Sequence, residues 1–246
     1  MDWQAYNELA WIEEILGPVE EYEEEVEGYL KWLKRYSLKE RPSMLHLGCG
    51  AGGHDYHFKQ AFDVTGVDLS RGMLKLAEKR NPELTYIHGD MRDVQLNETF
   101  DLIMIPDSVF YMNTKDDLHA LFKNAVNHLA SGGLLFIVTH FKEHFMENNF
   151  VYTGEKSPDH VTMFESNKCI SDHQYEATMV FLIRHDGELT IKHDVHTLGL
   201  FTKQEWVDLY HQYGFDLDIN EVAPLYDDNV FDDGEYPLTA MIGVKQ

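Results

Sequence analysis

Apolar and polar positions follow three different rhythms along the 246 residues of the chain. Near the start, Val19, Tyr22, Val26, Tyr29, Leu30 and Leu33 recur every three or four positions, the spacing of a single helix face. Pro18 suits the first helical position, and the glutamates between Glu20 and Glu27 fill the opposite, solvated face. From Ser43 the pattern becomes short apolar runs alternating with helical stretches. Residues 44–47, 63–67, 84–87, 100–105 and 134–139 read as five strands, with helices over 71–79 and 115–129; the segment Ser131-Gly132-Gly133 breaks the second of these. Each strand is uniformly apolar, as in a parallel sheet covered on both faces.

Between Phe141 and Leu200 the period drops to two. Residues 175–185 and 188–200 flank Asp186-Gly187, a strong hairpin signal, and pairing across it puts Val180, Leu182, Leu189, Ile191 and Val195 on one face. That face is expected to be buried, against the core or against another subunit. Thr202 and Glu205 form a capping box for a helix through Tyr213. Strands over 215–219 and 238–244 close the chain, joined by an acidic loop around Asp227-Asp228 and Asp232-Asp233. The expected organisation is a helical segment over 1–40, an α/β core over 41–140, an antiparallel insertion over 141–201, and closing core elements over 202–246.

Composition narrows the function. Twenty Lys and Arg against 43 Asp and Glu give a net charge of −23, which repels phosphate backbones and anionic lipid, so neither nucleic acid nor a membrane surface is an expected partner. No apolar run approaches the roughly 20 residues of a spanning helix, and the N-terminus lacks signal-peptide features. Two distant cysteines, Cys49 and Cys169, form no disulfide framework and suit a cytoplasmic protein. Fourteen histidines include pairs at helical spacing, His140 with His144 and His54 with His57, but neither pair has a third ligand nearby. No metal is expected.

The chemistry concentrates in Leu47-Gly48-Cys49-Gly50-Ala51-Gly52-Gly53, directly after the first strand. Glycines there let the backbone turn sharply and lie against a ligand. Asp68 ends the second strand, where a carboxylate can accept bonds from both hydroxyls of a ribose. Together they point to an adenosine-type cofactor. The spacing Gly-x-Gly-x-Gly departs from the dinucleotide pattern, and no Gly-Lys-Ser/Thr marks a triphosphate site.

This segment resembles the first motif of class I S-adenosylmethionine-dependent methyltransferases. Val67-Asp68-Leu69-Ser70, His88-Gly89-Asp90-Met91, Phe100-Asp101-Leu102-Ile103 and Gly132-Gly133-Leu134-Leu135 are similar to the motifs that follow, in the same order. The resemblance implies a doubly wound, Rossmann-like seven-stranded sheet whose last strand is antiparallel, with the insertion placed after strand five. It implies S-adenosyl-L-methionine as cofactor and S-adenosyl-L-homocysteine as product. Its cofactor site would comprise Gly48, Cys49, Gly50, Gly52, Asp68 and Leu69, with Asp90 and Met91 at the adenine and Pro106 after strand four. Where the family has an acid near the methionyl ammonium this chain has His46, either a cofactor contact or a buried strand histidine.

On the acceptor side, open α/β sheets place reacting groups at the carboxyl ends of their strands. Asp107 and Ser108 are the candidates for binding substrate, and Tyr111 and His140 for catalysis. The β insertion is similar to that of small-molecule N-methyltransferases, including those that dimethylate amino sugars, where it lids the pocket and supports oligomers such as a homodimer. A small-molecule amine acceptor is expected. The alternatives are O-methylation of a hydroxyl or carboxylate, a protein or RNA acceptor, and a non-catalytic cofactor binder.

Overall fold

The computed structural model describes residues 3–222, 227–231 and 236–246; Asp232-Asp233 of the acidic loop lie outside them. After a short helix α1 (Glu13–Leu16) and helix α2 (Glu23–Leu33), the chain alternates β1 (Ser43–Leu47), α3 (Gly53–Phe58), β2 (Asp63–Asp68), α4 (Arg71–Arg80), β3 (Thr85–His88), β4 (Phe100–Ile105), α5 (Lys115–His128) and β5 (Leu129–Thr139). The antiparallel strands β6 (Asn149–Lys156), β7 (Asp159–Ser171), β8 (Gln174–His185) and β9 (Glu188–Gly199) follow. Helix α6 (Lys203–Gln212), β10 (Phe215–Glu221), the two-residue β11 (Val230–Phe231) and β12 (Thr239–Lys245) complete the chain.

Seven strands form one sheet in the order β10-β12-β5-β4-β1-β2-β3. The inner strands are parallel, and β12 runs antiparallel to both β5 and β10. Alternation along β1 shows how the sheet is covered. Leu45 and Leu47 pack with Phe122, Trp206 and Tyr210 of α5 and α6, whereas Met44 packs with Tyr29 and Phe58 of α2 and α3. The fifth strand starts at Leu129 rather than Leu134. Gly132, at φ +71°, carries the chain through a register shift opposite Phe100, so Ser131-Gly132-Gly133 bends a strand and does not precede it. The glutamate face of α2 is exposed except at Glu25, which is buried. It lies 3.1 Å from His54 Nε2 and accepts a hydrogen bond from the Tyr29 hydroxyl.

The second sheet has the order β11-β6-β7-β8-β9. Asp186 and Gly187 both have positive φ, the mirror-image turn that matches strand twist. Register places Val180, Leu182, Leu189, Ile191 and Val195 on one face as expected, but it is the outward one: Leu189, Ile191 and Val195 are exposed. Tyr175, Ala177, Met179, Phe181 and Ile183 are buried instead. Met179, Phe181 and Ile183 pack on Ala5, Leu9 and Ile12 of the N-terminal segment, Tyr175 and Ala177 near Phe110 and Tyr111. Along β8 the inward row from Tyr175 to Ile183 is wholly apolar. The outward row carries Gln174, Glu176, Thr178 and Arg184 beside Val180 and Leu182, so the period along the whole strand favours the inner row. The ends of the insertion meet where Lys142 N–H donates to the Phe201 carbonyl at 2.8 Å.

Candidate active site

A cavity of about 420 Å³ lies between the carboxyl ends of β1, β2 and β4 and the inner face of the second sheet. Its floor is the loop after β1. Gly48, at φ +73°, leaves no room for a side chain, since a Cβ there would stand 2.2 Å from Ser108 Oγ. Gly50, at φ +53°, has open space where its Cβ would be, which is where a ligand can lie against the backbone. Asp68 holds this loop to the next. Its Oδ2 accepts from Gly50 N–H at 2.8 Å and its Oδ1 from Ser70 N–H at 2.7 Å. Burial raises its pKa, an effect those two N–H bonds offset only in part. Each oxygen keeps a lone pair for a ribose hydroxyl. Cys49, Leu69, Asp90, Met91 and Pro106 also line the cavity. Asp90 is bound by the Arg92 guanidinium through both its oxygens.

Two expected cofactor residues are not on the wall. His46 is fully buried, with Nδ1 2.6 Å from Asp55 Oδ1, because its place in β1 aims the ring at the α3 layer. Gly52 caps α3 in a left-handed conformation, and its carbonyl accepts from Asn81 Nδ2 at 2.9 Å. It shapes the loop from behind.

On the acceptor side Asp107, Ser108 and Tyr111 line the cavity, Asp107 at the unusual φ of +59°. Ser108 donates to the Leu47 carbonyl at 2.9 Å, tying the turn after β4 to the glycine loop. The Tyr111 hydroxyl lies 2.6 Å from Tyr6 Oη and 2.7 Å from His196 Nδ1, and Asp194 stands 3.1 Å beyond on His196 Nε2. Burial first, then the neighbouring Tyr6, pushes the Tyr111 phenol well above its ordinary value. The phenol therefore keeps its proton between Tyr6 and His196. His140 is not among the cavity-lining residues: it is buried, stacked on Phe110 at 4.4 Å, with Nδ1 3.3 Å from Tyr236 Oη. Burial drops its pKa to about 3, leaving it neutral. It supports Phe110 and Tyr236, which do face the cavity.

Sequence reasoning missed the roof. Trp3, Tyr6 and Glu13 of the N-terminal segment line the cavity, with Tyr152, Glu165 and Tyr175 of the second sheet. Ala5 N–H donates to Asp194 Oδ2 at 2.8 Å, while Ser70 Oγ bonds the Tyr6 carbonyl, so the segment straps the insertion to the core. Strand alternation in β7 turns Glu165 and Phe164 to opposite faces, but nothing local says which of the two faces inward.

A seven-stranded sheet with an antiparallel last strand, a glycine loop after its first strand and an acid after its second define a class I fold built around an adenosine-type ligand. Residues 44–133 match the methyltransferase domain family. A Streptomyces venezuelae dTDP-3-amino-3,4,6-trideoxy-alpha-D-glucopyranose N,N-dimethyltransferase is 28% identical over 78% of this chain and 83% of that enzyme. A Saccharopolyspora spinosa dTDP-4-amino-2,3,4,6-tetradeoxy-D-glucose N,N-dimethyltransferase is also 28% identical, over 80% of each chain. Among solved structures, Streptomyces venezuelae DesVI superposes with a TM-score of 0.78 at 25% identity, covering 92% of both chains. Over most of its length the chain is similar to S-adenosylmethionine-dependent methyltransferases. The open cradle at Gly50 and the free lone pairs of Asp68 fit that cofactor.

Proposed function

We propose that this protein N-methylates a small-molecule amine held between the glycine loop and the second sheet. The observation that carries the reading is the cavity floored by Gly48, Gly50 and Asp68 and roofed by the insertion and the N-terminal segment. Relatives named as amino-sugar N,N-dimethyltransferases support an amine acceptor. In this reading Asp68 holds the ribose, Asp90 and Met91 the adenine end, and Asp107 and Ser108 border the reacting centre. When bound, the cofactor supplies a methyl carbon on a sulfonium, which an amine lone pair takes as the C–S bond breaks and its electrons stay on sulphur. The chain's own task is alignment and exclusion of water, with no covalent step of its own. Residues 41–140 and 202–246 serve as the cofactor unit, and 141–201 as the lid.

The partners and location follow the same reading. The outward face of the second sheet is the place for a second copy of the chain. Its middle rows, Thr162–Leu182–Ile191 and Val151–Phe164–Val180–His193, carry no Asp, Glu, Lys or Arg. On a molecule of charge −23 this is where two copies meet without like-charge repulsion. The unpaired Cys49 and Cys169 support a cytoplasmic setting, and no described helix is long and apolar enough to cross a membrane. The test of the activity is release of S-adenosylhomocysteine from the full chain with a panel of amines and matched alcohols, with the products weighed by mass spectrometry. Methylated amines are expected; methylation confined to the alcohols rejects the reading.

A further inference from the structure

The acceptor half of the cavity has a distinctive charge pattern. Its wall carries Glu165, on the inner face of β7 between its cross-strand neighbours Phe150 and Met179. Among the described residues this carboxylate accepts one hydrogen bond, from Asn167 Nδ2 at 2.8 Å. Aromatic rings line the cavity with it: its cross-strand neighbour Phe150 has its centroid 5.2 Å from Tyr236 and 6.3 Å from Tyr152, and Tyr175 lines the same cavity. The carboxylate's field reaches those rings. Burial, then Glu165, raises the phenols of Tyr152 and Tyr175 above their ordinary range, so they stay neutral.

Cations are missing where a phosphate group would need them. Among the described residues lining the cavity the only Lys or Arg is Arg92, and its guanidinium is held by Asp90 and Asp117, the latter at 2.6 Å. The stretches 223–226 and 232–235 contain no Lys or Arg. Beyond Lys203 the sequence has only Lys245, whose ammonium binds the carbonyls of Val126 and Leu129. That contact is at the opposite end of β12 from the cavity, since Thr239 is the residue that pairs with Thr139 at the carboxyl end of β5. A diphosphate buried here would lack a counter-charge, whereas an ammonium would find a carboxylate and several ring faces.

We infer that the acceptor is a cationic amine carrying no phosphate, with its ammonium held by Glu165 inside the ring of Phe150, Tyr152, Tyr175 and Tyr236. The inference rests on the methyltransferase reading and departs from the nucleotide-linked sugars in the names of the relatives. Glu165 takes the proton that the ammonium must shed before its lone pair can form the N–C bond. It passes that proton to solvent as the methylated ammonium leaves, so each turnover releases one proton.

The experiment uses the full chain loaded with S-adenosylhomocysteine, whose affinity is measured first by calorimetry. Ligand-observed NMR then follows two probes, tetramethylammonium and dTDP, on the wild type and on Glu165→Gln. Tetramethylammonium is expected to bind the wild type saturably and the variant at least tenfold more weakly, with S-adenosylhomocysteine affinity equal in both, and dTDP is expected not to bind. Saturable dTDP binding, no tetramethylammonium binding, or equal tetramethylammonium affinity in the two proteins overturns the inference and leaves the cofactor reading intact. Absence of S-adenosylhomocysteine binding to folded wild type overturns the cofactor reading and this inference together. The dTDP arm needs only the wild type, so it decides even if the variant fails to fold.

Discussion

Two residues with little in common in the sequence, Asp68 and His140, are each governed by what burial does to a charge. Asp68 is a carboxylate kept at the cavity by two backbone N–H groups, and its remaining lone pairs are what a ribose would use. Asp68→Ala is expected to weaken S-adenosylhomocysteine by about 1.5–3 kcal/mol, the range for hydrogen bonds to a charged group. Calorimetry reads it, and an unchanged dissociation constant places the ribose elsewhere. His140 is buried neutral, its pKa depressed to about 3 against roughly 6.5 in an unfolded chain. The unfolded chain therefore takes up a proton that the folded chain refuses, so the stability tied to this group is complete above pH 6.5 and is lost as pH falls toward 3. Between pH 6.5 and 5 that loss is roughly 2 kcal/mol. His140→Phe, which keeps a ring on Phe110, is expected to lose less stability than the wild type from pH 7 to pH 5. Parallel denaturation curves for the two proteins over that interval count against it.

At the scale of elements, the loop after β1 separates a residue's effect on folding from its effect on binding. Gly50 sits at φ +53° with nothing within 4 Å of its missing Cβ. Gly50→Ala is expected to cost the fold only about 1–2 kcal/mol, the strain of a left-handed residue, while its methyl group enters the ligand's space and abolishes cofactor binding. A variant that melts near the wild type yet gives no calorimetric signal with S-adenosylhomocysteine is the expected result; full affinity means the ligand does not approach this backbone. Gly48→Ala differs, because its Cβ meets Ser108 and would push apart the two loops that Ser108 ties together.

For the whole molecule, the sharpest expectation concerns association. The wild type is expected to be a dimer by light scattering, and Ile191→Glu a monomer with its cofactor affinity retained. Ile191 is 60% exposed on a face remote from the glycine loop, so the charge disturbs only what covers that face. A monomeric wild type throughout a concentration series rejects the second copy as occupant.

Local pattern and motif spacing by themselves determined most of the central sheet. Uniform apolar runs, the loop around Gly48 and Gly50, the acid at Asp68 and the Asp186-Gly187 hairpin are statements about neighbouring residues, and short-range physics suffices to read them. The depth of a side chain and the direction it faces are not local. His46 follows the pattern of β1, yet only the packing of α3 against the sheet decided that its ring meets Asp55 rather than the cavity. Glu25 sits among solvated glutamates, and only the approach of His54 made it a buried partner. Along β8 the alternation favours the inner row, but that it is covered by Ala5, Leu9 and Ile12 from the far end of the sequence is a tertiary fact no local pattern carries. Glu165 and the tyrosines around it became one site for the same reason. Burial depends on which distant elements arrive, and that is settled only when the whole chain has folded.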